Sequence, residues 1–278
     1  MTLIGCDFSS SPTRRKPIVV AVGHRVSGRV QLQNILRFDT LIAFADWLKQ
    51  PQAWVGGFDL PFGLPRELVE HLHWPTEWLS CIQHYAALSR ADIRSIFKEF
   101  CDARPVGRKF AHRATDLPAG SSPSMKWVNP PVAYMLHAGV PLLIGAGLTL
   151  PRLHIPSACV DDSVPLRIAL EAYPGLLARE LIGNTSYKSD DKAKQTADRL
   201  IARKKILQAL DLGESRLGLR LKLTYPQHDT LVADASGDSL DAVLCMVQAA
   251  WAQLQYEAGD LHYGLPVCDP LEGWILTS

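Results

Sequence analysis

The sequence predicts an α/β protein with a mixed central sheet flanked by helices, and three observations carry that expectation. Runs rich in Val, Ile and Leu at residues 2–8, 17–24 and 29–38 are separated only by the polar segments 9–15 and 25–28, as in a β-meander. A helical pattern and a fourth strand-like run, 53–58, follow at once. Beyond residue 65 the apolar spacing is mainly helical, broken by one more strand-like run at 166–173.

Each element has a local reason. Thr40 is placed to cap a helix running to Lys49, with Leu41, Phe44, Ala45 and Leu48 on one face, and Pro51 stops it before the fourth strand. From Pro65 to about Ala103 the spacing of Ile93, Ile96, Phe97 and Phe100 defines one buried helical face. The pattern breaks over 104–131, where Pro118-Ala119-Gly120-Ser121-Ser122-Pro123-Ser124 has the composition of a mobile surface loop, a lid or a plain linker. A helix is expected over 132–145, and Pro174 opens another after the fifth strand. Ser189 is placed to cap a basic helix from about Asp190, with Ala193, Ala197, Leu200, Ile201 and Leu207 facing inward. The last helix runs from Asp238 to about Tyr256.

Composition narrows the class. With 278 residues, 47% of them hydrophobic, the chain has enough apolar material for a substantial core. A formal net charge of +1 gives no global attraction to polyanions, so contact with nucleic acid must rest on local patches. Six cysteines without paired spacing, and no export signal, point to reduced thiols and a cytoplasmic location. The longest apolar stretch, 138–150, is interrupted by Pro141 and glycines and is too short to span a bilayer, so no membrane partner is expected.

The chemistry lies in acids at the ends of apolar runs. Asp7 ends the first run, Asp59 the fourth and Glu171 the fifth, while Asp238 and Asp241 open the last helix. Each has an ordinary explanation alone: Asp satisfies turns at strand ends, and Asp238 with Asp241 three residues on resembles a capping box. Positions three apart also share a helix face, with about 5 to 6 Å between β-carbons. Acids brought together from separate segments repel, and a divalent cation is what neutralises such a cluster. The expected ligands are Asp7, Asp59, Glu171, Asp238 and Asp241, and the expected cofactor is Mg2+ or Mn2+, as two ions. Glu171 in an apolar strand needs a cation, a basic partner or an exposed face. For Glu272, near the C-terminus, an indirect structural role is expected. Arg14, Lys16 and Lys188 are the candidate phosphate contacts, and Arg104, Arg108, Lys109 and Arg113 make the central loop another.

No Walker loop or nucleophile elbow is present, and His71-x-His73 reads as an exposed helix edge. Gly5-Cys6-Asp7-Phe8-Ser9, Gly57-Phe58-Asp59-Leu60-Pro61, Glu171-Ala172-Tyr173-Pro174, Asp238-x-x-Asp241-Ala242 and Glu272-Gly273-Trp274-Ile275 together resemble domain-of-unknown-function family 429, over nearly the whole chain. That family is similar to ribonuclease H-like predicted nucleases. The resemblance implies one ribonuclease H-like domain over residues 1–278. It further implies a three-strand meander followed by parallel strands, with a helical insertion at approximately 65–160. It also implies catalytic roles for Asp7, Asp59 and Asp241 in hydrolysing nucleic-acid phosphodiester bonds. Two other readings stay open: an actin-like nucleotide-dependent phosphotransferase, faintly suggested by Asp7-Phe8-Ser9-Ser10-Ser11, and a catalytically silent scaffold of the same fold.

Overall fold

The computed structural model describes residues 1–156 and 166–278. Strands β1 (Thr2–Asp7), β2 (Ile18–Val26) and β3 (Arg29–Phe38) form an antiparallel meander. β4 (Trp54–Asp59) lies parallel to β1, and β5 (Arg167–Glu171) lies parallel to β4. A short β6 (Arg220–Lys222) adds in parallel to β3, giving a mixed sheet in the order β5-β4-β1-β2-β3-β6.

Strand alternation divides the molecule into two cores. Ile4, Cys6, Trp54 and Phe58 face one way, onto a cluster built with α1 (Leu41–Leu48), α2 (Arg66–His71), α3 (Trp78–Ala87), α4 (Arg90–Asp102) and α6 (Val132–Gly145). Between α4 and α6 lies the single turn of α5 (Asp116–Ala119). Leu3, Val55, Ile168 and Leu170 face the other way. They pack against α7 (Pro174–Ile182), α8 (Ala197–Leu212), α9 (Tyr225–Ala233) and α10 (Asp238–Glu257). Helices therefore cover both faces of the sheet.

Local chemistry fixes the helix ends, at Thr40 where the sequence announced it and at Ser89 where it did not. The Thr40 hydroxyl accepts from the Ala43 N–H at 3.1 Å, and Phe44 and Leu48 are buried. Ser89 and Asp92 form a reciprocal capping box at α4, whose buried face is Ile93, Phe97, Phe100 and Cys101. Helix α10 is different: it is buried almost all round, as a helix must be when it crosses the centre of a sheet face.

Gly5 and Gly57 make that crossing possible. A β-carbon on Gly5 would fall 2.0 Å from the carbonyl oxygen of Ala242 and 2.1 Å from the amide nitrogen of Met246; one on Gly57 would fall 2.5 Å from the Cys245 carbonyl oxygen. The α10 backbone thus rests directly on the backbones of β1 and β4.

Several expectations are corrected. The basic helix does not begin near Asp190. The Asp191 side chain accepts from the Ala193 N–H at 3.0 Å and closes a separate 3-10 turn, Lys192–Lys194, and α8 starts only at Ala197. Ala193, Ala197, Leu200 and Ile201 are consequently exposed, and the buried face is Ala202, Arg203, Ile206, Leu207, Ala209 and Leu210. The 118–124 segment is not a free surface loop, because Ala119, Ser124 and the following Met125 are fully buried. Asp238 is not a cap: Gly237, in the left-handed region, holds that position without a side-chain hydrogen bond. Cys6, Cys81, Cys101, Cys245 and Cys268 are free thiols, while Cys159 and the end of the expected insertion, 157–160, lie outside the described residues. No helix among the described residues is long and apolar enough to cross a membrane.

Candidate metal centre

The parallel register sets Asp7 directly beside Asp59, at the carboxyl ends of β1 and β4. Neighbouring strands lie about 4.8 Å apart, so side chains on the same face at paired positions are neighbours. Residues 3, 5 and 7 alternate onto the α10 side, and so do 55, 57 and 59. With Gly5 and Gly57 admitting the helix, the first turn of α10 brings Asp241 to the same point. One carboxylate oxygen from each of Asp7, Asp59 and Asp241 lies within 4.8 Å of the other two.

These acids have unlike surroundings. Asp241 is fully buried, and both its oxygens have partners: the Tyr187 hydroxyl donates to Oδ1 and the Lys188 ammonium to Oδ2. Asp7 and Asp59 form no hydrogen bond or ion pair among the described residues, and they line a cleft of about 480 Å3. Burial raises all three acids above the ordinary carboxylate range. For Asp7 the neighbouring Asp241 charge adds to the effect. Burial is also the main cause for Asp59, which is pushed up to about 7 although Lys188 pulls it down. Lys188 is opposed by its own burial, but Asp241, Tyr187, Asp7 and Asp59 together hold it well above the ordinary lysine value.

The two further acids expected as ligands stand outside this group and are paired with cations, although Glu171 lines the same cleft. Asp238 accepts from Lys16 at 2.7 Å, and the same ammonium reaches Asp190 at 2.7 Å. Glu171 stands opposite Phe58 in the β4–β5 register, on the face away from α10. Its oxygens accept from Arg113 at 2.6 and 2.8 Å and from the Phe62 N–H at 2.9 Å. This basic partner answers the question posed by an acid in an apolar strand.

Arg113 lines the cleft, but its guanidinium is committed to protein partners. It is only 2% exposed and links Asp116, Glu171 and the Glu272 carbonyl. Glu272 accepts from the Arg66 and Ala114 amides, both at 2.8 Å, which is an indirect structural role. Together these bonds tie the 104–131 segment to the sheet, and its Ser121, Ser122, Pro130 and Pro131 form one wall of the cleft. Of the expected phosphate contacts, Lys16, Lys188 and Arg113 line the cleft, whereas Arg14, Arg104, Arg108 and Lys109 do not.

Sequence reasoning missed Tyr187 and the support behind it. The Arg203 guanidinium, buried on α8, donates to the Tyr187 carbonyl at 2.7 Å and to the Val232 carbonyl at 2.8 Å. It fixes the strip of chain from which Tyr187 and Lys188 reach Asp241. An arginine in the middle of an otherwise apolar helix face was the signal available for this.

The donor set suits a hard divalent cation. Three carboxylates from three chain segments supply oxygen ligands without filling a six-coordinate shell, leaving positions for water and substrate. Compared with protein-family models, curated proteins and solved structures, the chain finds no match.

Proposed function

We propose that this protein is a divalent-metal-dependent nuclease of ribonuclease H-like type, hydrolysing phosphodiester bonds in nucleic acid. The observation that carries the reading is the convergence of Asp7, Asp59 and Asp241, the first two lining a cleft and the third buried behind them. The order of the meander and the parallel strands, and the family 429 resemblance of the motifs around these acids, support it further.

A bound Mg2+ or Mn2+ would supply Lewis acidity for a water nucleophile and for the charge that develops on the phosphoryl oxygens. Asp7 and Asp59 hold open oxygens toward the cleft, and Asp241 is fixed by Tyr187 and Lys188. Phe8, Pro61, Pro131 and Met135 give the cleft an apolar flank against which a base or sugar can lie, while Ser9, Ser10 and Lys16 offer polar groups on the rim. The volume suits a strand end or a splayed nucleotide better than an intact duplex.

The test is a cleavage panel with Mg2+ or Mn2+ on single-stranded, duplex and branched DNA and RNA, run beside Asp7→Asn. Metal-dependent cleavage that disappears in the folded variant is the expected result. Equal cleavage by the purified variant removes Asp7 from the reaction. Nucleotide-dependent transfer to a small molecule, without cleavage of any nucleic acid, selects the phosphotransferase reading instead.

A further inference from the structure

Resting on the metal-site reading, we infer that the centre takes a single divalent ion and that Lys188 is its built-in second cation. A two-ion site needs a bridging carboxylate and enough acids to complete both shells. Here the supply of acids runs out. Asp238 is paired with Lys16 at 2.7 Å, and Glu171, although it lines the same cleft, is held by Arg113 at 2.6 Å. Among the described residues, only Asp7, Asp59 and Asp241 are left to face one another.

The Lys188 ammonium already sits on the third of them, at Asp241 Oδ2, while Tyr187 takes Oδ1. A second ion would have to displace Lys188, and the other carboxylates lining the cleft, Glu171 and Asp190, are already held by Arg113 and Lys16. The lysine is also well placed to act on substrate. With Asp59 it lines both the main cleft and a second recess of about 220 Å3 beside α7, so a phosphoryl group lying across the two recesses meets its ammonium. A compact, freely rotating ammonium suits that place as a point charge.

The experiment counts ions on the full chain, with Mn2+ as the probe, by electron paramagnetic resonance of free Mn2+ and by calorimetry. Wild type is expected to bind one Mn2+ at the centre, and Asp7→Asn to lose it. Lys188→Met removes a like charge beside the ion and should bind the first Mn2+ at least tenfold more tightly, or take a second. Lys188→Arg keeps the charge and should stay at one ion with affinity near wild type. Two ions per wild-type chain, or Lys188→Met with unchanged or weaker binding, overturns the role of Lys188 and leaves the metal site standing. No Mn2+ on the wild-type chain overturns both.

Discussion

Replacing Gly5 by alanine tests the close contact on which the whole centre depends. The added β-carbon would lie 2.0 Å from the Ala242 carbonyl oxygen and 2.1 Å from the Met246 amide nitrogen, where ordinary contact begins at 3.4 Å. Both obstacles are backbone atoms of α10, so no side-chain rotation relieves them. The helix must lift from β1 by more than an ångström, or the strand must bow. Overpacking of this kind costs about 1–3 kcal/mol, and a rigid obstacle puts Gly5→Ala at or above the upper end. Asp241 rides on the same turn of α10, so the lift also separates it from Asp7 and Asp59. A displacement of about 1 Å at a catalytic group can cost on the order of 10²-fold in rate. Urea denaturation of the metal-free protein should show a loss of about 3 kcal/mol, and Mn2+ titration a weakening of at least tenfold. Gly145→Ala is the control, since its β-carbon would meet nothing within 4 Å; it should be neutral or stabilising by up to about 1 kcal/mol. Wild-type stability and metal affinity in Gly5→Ala would refute the close-approach argument.

Other outcomes follow from the same geometry. Asp59, raised to about 7, keeps its proton in the folded state at pH values where the unfolded chain has lost it. The metal-free protein should therefore lose stability as pH rises from about 4 to about 7, by roughly 4 kcal/mol from this group, and Asp59→Asn should flatten that slope in urea titrations at successive pH values. Arg113→Met strands Glu171 and Asp116 as buried acids and should cost about 3–5 kcal/mol by urea denaturation. Glu171→Gln should leave the Mn2+ affinity of the folded protein within about threefold of wild type, since its oxygens face Arg113 and Phe62; a loss like that of Asp7→Asn would make it a ligand after all. Arg203→Met leaves two buried carbonyls without their donor and should lower stability by about 2 kcal/mol, with looser Mn2+ binding because Tyr187 is no longer anchored.

The sequence was most legible where local chemistry decides structure. Thr40 capped its helix, the residues of α6 were foreseen from end to end, and Asp7 and Asp59 could be seen to end apolar runs. It was least legible where two local choices compete. Ser189 was a plausible cap, but Asp191 closes a tighter turn first, and no apolar face spans Lys192–Lys194 to carry a helix through it. Glu171 stands outside the group of Asp7, Asp59 and Asp241 for a reason that only register reveals: it pairs with Phe58, one residue out of phase with Asp59, and period two sends it to the other face. Asp241 was visible by its spacing from Asp238, yet α10 is apolar on every side, so periodicity could not say which face meets the sheet. Its docking was written instead in Gly5 and Gly57, whose meaning appears only once the helix lies on them.

That docking also sets a timetable. The helix that carries Asp241 covers one whole side of the central strands, but it is encoded more than 230 residues after Asp7 and emerges from the ribosome long after β1 and β4. Until then the α10-facing side of those strands has no cover, and the proposed centre lacks its third ligand. Contacts this distant in the chain close late in folding. A nascent or partly folded chain would thus lack the assembled three-acid cluster, which closes only once α10 has docked.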